Sequence, residues 1–493
     1  MTDSVKRVKS LPAHTRLTQW AFCPASLTSQ DRSPTMPRMD GQRGIARRMV
    51  VGLPREGLSP AWERDFAAYP PAGVILFRRD FLDLEALRAL TRRLRELARP
   101  RRIFLSVDEE GGFVSQLGGL LTVPPNAQLL ARGAEPGDLQ WAARVTGERL
   151  RALGIEWVYA PVADVHSRPL NPVIGPRALG EDVAAVSRGV REVLAGFRAA
   201  RVASCLKHFP GHGDTVLDSH LALPRCDAPL PLLDARELLP FREHVEAPSF
   251  MTAHVVYPAL DPERPATFSP EIIGGLLRTR LGYRGLVTTD ALEMKGATAG
   301  RSATEVGRRA LDAGCDLLLY AFHHEDVRRA RLELGRLLVD GSLDHAAFDA
   351  ARTRLATFDR DHPEPDEREL TRPLDSLTPP DWEARLEAIV RRGLRSRGAL
   401  PPGAGNGAWR VQEPPFPYGP TLADDLARAG IRVSEEDASV EVIVVATRRP
   451  LTDDEIDRMR AAALAISAAD ATPLTRRIVA QALVASARAT PGA

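Results

Sequence analysis

Within fourteen residues, KHFPGHGDTVLDSH (207–220) gathers one lysine, three histidines and two aspartates. Pro210, Gly211 and Gly213 oppose a continuous helix, so the segment reads as a loop. Any one of these histidines could be an ordinary surface group. The cluster as a whole, placed beside an apolar run, calls for a partner. A metal is one option: His208 and His212 are spaced i, i+4, and Asp214, Asp218 and His220 add possible ligands. The same Pro and Gly residues count against it, because they deny the helix that would put both imidazoles on one face. Asp290, in TTDALEM (288–294), is a lone acid after a short apolar and Thr run. It reads either as an N-cap for ALEMKGATA or as a nucleophilic carboxylate. Asp108 in VDEEGG (107–112) and Arg177 in NPVIGPRALG (171–180) complete the polar sites.

These groups must be held by something rigid. From residue 47 the chain shows eight short apolar runs: 49–53, 73–77, 103–107, 156–165, 202–209, 249–256, 285–292 and 315–321. Most are rich in β-branched or aromatic residues and apolar on both faces, as parallel strands covered on both sides should be. Amphipathic stretches such as 84–98, 139–154 and 182–200 lie between them. Eight strands alternating with helices predict an α/β fold, a TIM (β/α)8 barrel, whose chemistry gathers where strands end and loops begin. A doubly wound open sheet is disfavoured, because no Gly-rich phosphate loop follows the first strand. The expected organisation is a disordered tail over 1–45, the barrel over 46–360, a linker with one helix over 361–410, and a small, reduced α/β domain over 411–493.

Composition narrows the class. The chain has 493 residues, with 44% hydrophobic and 26% charged. Lys+Arg 66 against Asp+Glu 64 leaves a net charge of +2, too balanced for a nucleic-acid footprint or a membrane-attracting surface. No apolar run is long enough to span a bilayer, and the first residues lack the apolar core of a signal peptide. Four scattered cysteines exclude a disulfide scaffold and suit a reducing compartment. The expectation is a cytoplasmic enzyme. Only four basic residues are lysines, Lys6, Lys9, Lys207 and Lys295, and two of them fall at the polar sites. A lysine retained where arginine dominates marks a place for a compact point charge.

Five elements in this order, DxEGG, NPVIGxR, KHFPGHGDT with DSH, MTAHVVYPALD and TDALEM, resemble the family 3 glycoside hydrolases. The likeness is greatest to their bacterial β-N-acetylhexosaminidase subgroup, and it covers roughly residues 47–350. It implies a retaining exo-β-N-acetylglucosaminidase acting on peptidoglycan-derived fragments or chito-oligosaccharides, with Asp290 as nucleophile. In this subgroup a His-Asp dyad replaces the usual carboxylate acid/base, and the matching residues are His220 and Asp218. An imidazole titrating near pH 6.5, raised by an adjacent carboxylate, suits both halves of such a reaction. By the same match Asp108, Arg177, Lys207 and His208 bind the sugar, and His254 supports the site. The family usually continues DxEGGRVxR, whereas this chain reads DEEGGFVSQ, so Phe113 and Gln116 stand where two arginines are expected. Gln116 takes the place of the substrate-touching arginine. Asp80 likewise stands where the family favours Asn.

The implied partner is a small-molecule carbohydrate, with no cofactor, metal, nucleic acid or membrane; the oligomeric state stays open. Three other readings remain: a family 3 β-glucosidase or β-xylosidase, a GlcNAc phosphorylase, and a sugar-binding protein on an inactive barrel.

Overall fold

A computed structural model of the chain describes residues 40–219, 222–322, 324–398, 408–412, 421–429, 431–434, 440–445, 464–467 and 472–489. Eight strands form the main sheet: β1 (Met49–Val51), β2 (Gly73–Leu76), β3 (Phe104–Val107), β4 (Trp157–Val158), β5 (Ala203–Phe209), β6 (Ser249–Thr252), β9 (Leu286–Thr289) and β10 (Leu318–Tyr320). A hairpin of β7 (Val256–Tyr257) and β8 (Asp261–Pro265) is inserted after β6. All neighbours in the order β10-β1-β2-β3-β4-β5-β6-β9 are parallel. A parallel bridge between Thr288 and Leu317 rounds the sheet into a barrel. Every one of the eight predicted runs contains one of these strands.

The strands form where they do because both faces are covered. Inside the barrel, Val50, Ile75, Phe104, Trp157, Cys205, Met251, Leu286 and Leu319 pack together. The helix His345–Asp361 closes the lower end, placing Phe358 edge-on to Phe104 (4.9 Å) and Trp157 (5.3 Å). Outside, the helix Leu84–Ala98 starts where Asp83 accepts a hydrogen bond from the Ala86 N–H (2.7 Å), and it buries Leu87, Thr91, Leu94 and Ala98. The helix Val183–Ala199 starts the same way on Asp182.

Two expected boundaries move. Residues 1–39 of the predicted tail lie outside the described residues, but Gly41–Ala46 is a helix that buries Ile45. The stretch expected as a linker is mostly part of the barrel's outer shell. The helix Trp382–Gly393 buries Trp382, Leu386, Ile389 and Val390. Trp382 Nε1 donates to the Thr122 carbonyl (2.7 Å), and the Arg149 guanidinium lies over its indole at 4.2 Å. The helix Ala127–Gly133 approaches so closely that a Cβ at Gly133 would sit 1.9 Å from the Ile389 carbonyl oxygen. The charged, Pro-rich composition reads as solvated, but Glu369 within it receives the buried Arg151 at 2.6 Å.

The second sheet begins within the former linker, at β11 (Arg395–Gly398). With β12 (Ala408–Gln412), β13 (Arg432–Val433), β14 (Val440–Val445) and β15 (Leu464–Ser467) it takes the order β11-β15-β14-β12-β13. The helix Pro473–Ala489 covers it with Val479 and Leu483 and turns Leu474 and Ile478 to the barrel's core. No described helix is long and apolar enough to cross a membrane.

Candidate functional site

The upper ends of β3, β5 and β9 and the loop after β4 surround a cavity of about 400 Å³. Six of the eight predicted site residues line it: Asp108, Arg177, Lys207, His208, Asp218 and Asp290. Sequence distances of up to 182 residues (290 minus 108) collapse because each group leaves the end of a strand, or the loop just beyond it. His220 lies outside the described residues, while its predicted partner Asp218 is on the cavity wall.

Lys207 is the last but two of β5 and is buried. Its Nζ stands 2.5 Å from Asp108 Oδ1 and 2.6 Å from Glu110 Oε1. Burial opposes its charge, but the two carboxylates outweigh burial and hold the ammonium above its ordinary range. Glu110 also takes Arg177 in a two-pronged pair, Nη2 to Oε1 and Nε to Oε2, both at 2.8 Å. Against its own burial, the Arg177 and Lys207 charges keep the Glu110 carboxyl well below the usual carboxylate range. Arg177, predicted as a sugar contact, is therefore already committed to a carboxylate on one edge.

His208 Nδ1 lies 2.7 Å from Asp164 Oδ2. A carboxylate can only accept, so Nδ1 carries the proton and Nε2 is the ring nitrogen left for a ligand. Asp164 also accepts the backbone N–H groups of His208 (3.1 Å) and His212 (2.7 Å). Burial raises the Asp164 pKa, and the His208 charge and these hydrogen bonds more than reverse it. His212 turns Nδ1 to Thr215 Oγ1 (2.9 Å) and Nε2 to Ser219 Oγ (3.2 Å). Burial, with His208 nearby, pushes its pKa down to about 4. Asp214 receives Arg168 (2.7 Å) and Arg236 (2.6 Å). Of the five groups that raised the metal reading, His212 and Asp214 are thus directed at protein partners, as is Nδ1 of His208.

The loop is anchored from the side. Asn171 Nδ2 donates to the carbonyls of His212 (2.8 Å) and Gly213 (3.0 Å), while its Oδ1 accepts from the Val173 and Ile174 N–H groups. A Cβ at Gly213 would fall 1.7 Å from the Val165 carbonyl oxygen, so only glycine permits this approach.

Asp290 directly follows β9 and lines the cavity; its Oδ1 accepts the Ala291 N–H at 2.7 Å. The next helix starts at Lys295, with Met294 at its N-cap position, so Asp290 does not cap it. His254 bridges Thr267 Oγ1 (2.8 Å) and the Ala291 carbonyl (3.1 Å), holding the turn after Asp290.

Gln116 departs from expectation. It does not line the cavity; its Oε1 accepts from the Arg78 N–H (2.7 Å) and its Nε2 donates to the Asp108 carbonyl (3.2 Å). The amide ties the loops after β2 and β3 together instead of reaching for a ligand. Beneath it, buried Glu109 accepts from Ser115 Oγ (2.6 Å) and the Gln116 (2.7 Å) and Leu117 (3.1 Å) N–H groups.

Sequence reasoning missed Glu110, Asp164 and Asn171 as organisers. Asp164 carried a usable signal, since it ends an apolar run as Asp108 and Asp290 do. A larger cavity, about 1020 Å³, opens between the helices Pro60–Ala68 and His324–Val339, but none of the predicted site residues lines it.

The family model described as the glycosyl hydrolase family 3 N terminal domain matches residues 61–358. A β-hexosaminidase of Alkalilimnicola ehrlichii is 39% identical over 291 residues, which span 57% of this chain and 82% of that protein. The family 3 β-N-acetylglucosaminidase of Paenibacillus sp. superposes with a TM-score of 0.80 at 27% identity, over 90% of this chain and 96% of that one. NagZ of Neisseria gonorrhoeae, solved with N-trifluoroacetyl-D-glucosamine, gives 0.57 at 27% identity, over 70% and 98%.

Proposed function

This chain belongs to glycosyl hydrolase family 3, and we propose that it works as a retaining, exo-acting β-N-acetylglucosaminidase. Its substrates would be peptidoglycan-derived fragments or chito-oligosaccharides ending in GlcNAc. One observation carries the reading: the carboxylates of Asp290 and Asp218 share a single cavity with the Lys207–Asp108 pair and His208. A cavity of about 400 Å³ is at the lower end for small-molecule sites and suits one sugar unit, which favours cleavage from a chain end.

In this reading Asp290 attacks the anomeric carbon, and the glycosidic bond breaks as the leaving oxygen takes a proton from His220. Asp218 orients that imidazole and balances its charge. In the second step His220 removes a proton from water, whose oxygen displaces the Asp290 carboxylate. Lys207, Asp108 and His208 hold sugar hydroxyls. The cations and the imidazole are fixed by Glu110 and Asp164 before substrate arrives, so little ordering is needed on binding.

Leaving groups test the dyad. In His220→Ala, release of a nitrophenolate should persist as a burst, because it departs without a proton. Cleavage of a disaccharide should fall by roughly 10²–10⁴-fold. Asp218→Ala should give a weaker form of the same contrast. Equal losses on both substrates in His220→Ala would remove it from the acid/base role.

A further inference from the structure

The loop after β5 is held in two ways along its length. Over 208–213 it is fixed by Asp164 and Asn171, through the N–H groups of His208 and His212 and the carbonyls of His212 and Gly213. Further on, Val216 and Leu217 are half-exposed, so burial does little to hold the stretch that leads to Asp218. Asp214 stands at the base of that stretch. It takes Arg168 Nε on Oδ1 at 2.7 Å and Arg236 Nη2 on Oδ2 at 2.6 Å. The two arginines are not equivalent. The Arg168 side chain is 47% exposed, and an ion pair so open to water contributes little. The Arg236 side chain is 23% exposed and is clamped from behind, where its Nε donates to Oε1 of the buried Glu237 at 2.5 Å. Burial opposes the Arg236 charge, but Glu237 and Asp214 outweigh it and hold the guanidinium above its ordinary range. Glu237 ends a short π-helical turn, Leu233–Glu237, whose Leu233 belongs to the main core. Its Oε2 is buried without a hydrogen-bond partner, and its side chain lies against the loop: a Cβ at Gly211 would stand 2.8 Å from Glu237 Cβ.

We propose that Arg236 is a positioning residue for proton transfer: by joining buried Glu237 to Asp214 it fixes the start of the stretch that carries Asp218 and His220, and so sets where the acid/base meets the glycosidic oxygen. This rests on the His220–Asp218 reading above. Arg236 does not line the cavity and acts only through Asp214. The groups that hold the sugar have anchors of their own, Glu110 for Lys207 and Asp164 for His208, and the nucleophile is carried by β9. Losing Arg236 should therefore displace the proton donor while the sugar site and Asp290 stay in place. A shift of about 1 Å at a reacting group is enough to cost roughly 10²-fold. The cost falls only on a leaving group that needs the proton.

Arg236→Gln, Asp214→Asn and Arg168→Gln would be made in the full chain and each given a GlcNAc disaccharide and a nitrophenyl GlcNAc glycoside, with rates taken per folded active site. In Arg236→Gln, kcat for the disaccharide should fall roughly 10–10²-fold, while KM and the first-turnover release of nitrophenolate change by no more than about twofold. Asp214→Asn should show the same contrast, and adding Arg236→Gln to it should cost nothing further, because the arginine acts through that carboxylate. Arg168→Gln should stay within about twofold of wild type on both substrates. Arg236→Lys keeps the charge but cannot fork between two carboxylates, so it should recover part of the loss. Equal losses on the two substrates in Arg236→Gln would make the residue merely structural and overturn the proposal. So would an undiminished disaccharide rate in the folded variant, or a fully additive double variant. If Arg236→Gln fails to fold because Glu237 is stranded, Asp214→Asn decides when set against Arg168→Gln: no loss in the former, or the same loss in both, would overturn the proposal. Failure of the underlying reading looks different, since His220→Ala would then show no contrast between leaving groups whatever Arg236→Gln does.

Discussion

At the lower end of the barrel, Asp316 is buried with Arg278 on Oδ2 (2.6 Å) and Arg354 on Oδ1 (2.7 Å), and Oδ2 also accepts the Val287 N–H (2.8 Å). At the upper end, Glu110 is buried with Arg177 and Lys207 in nearly the same arrangement. Both ends thus neutralise a buried acid with two cations. They differ in what lies next to the pair. The lower network takes Arg354 from the helix His345–Asp361, and that arginine borders a cavity of about 540 Å³ lined by none of the predicted site residues. The upper one borders an open cavity where Asp218 and Asp290 present further carboxylates. A buried ion network beside a cavity is therefore no mark of chemistry in itself; what sets the upper one apart is that strand-end residues, Asp108, Lys207, His208 and Asp290, line its space together.

Substitution at each end should separate the two roles. Asp290→Ala should lower turnover by roughly 10⁴-fold or more, the scale of removing a nucleophile, with stability changed by no more than about 1 kcal/mol. Asp316→Ala should do the reverse. Stranding two partly buried arginines costs about 3–5 kcal/mol in a denaturant titration, while the surviving folded fraction keeps its rate per active site. Activity retained in Asp290→Ala, or an unchanged midpoint in Asp316→Ala, would erase the contrast.

Acid sensitivity sharpens the picture of the upper loop. Burial lowers the His212 pKa to about 4 from the ordinary imidazole value near 6.5, so the folded state binds this proton less readily than the unfolded chain. Its contribution is fully present above pH 6.5 and is lost as pH falls towards 4, by about 3 kcal/mol over that window. Denaturant midpoints of wild type and His212→Asn, compared from pH 7 to 4, should show a steeper fall for wild type. Parallel curves would mean that His212 takes up its proton without cost in the folded loop.

The smallest effect is expected at Gln116. Its amide joins the Arg78 N–H to the Asp108 carbonyl, so Gln116→Ala should cost about 1 kcal/mol of stability and leave KM nearly unchanged. A tenfold rise in KM without loss of stability would restore it to the substrate-binding set.

The eight strands were legible because strands covered on both faces must be apolar throughout, and those runs stand out from the amphipathic helices between them. The acids at strand ends, Asp108 and Asp290, were legible for the same reason: a charge that ends an apolar run has been placed. Asp164 obeyed that rule and was passed over, because its task is to hold His208 and not to line the cavity. The role of Gln116 depended on what the loop after β2 brings to it, which no local pattern reveals. The stretch 361–398 misled through composition. Its prolines and acids look solvated until Glu369 and the indole of Trp382 are seen to meet barrel partners, Arg151 and the Thr122 carbonyl.

Asn171 has one further consequence, for anyone who would recombine such enzymes. Its side chain holds two carbonyls of the loop after β5 while its own backbone belongs to the loop after β4. The two loops are therefore a single exchangeable cassette. A graft that carries the histidine-rich loop alone would import the reactive groups without their splint, and the inheritance of this site across barrels should follow the pair.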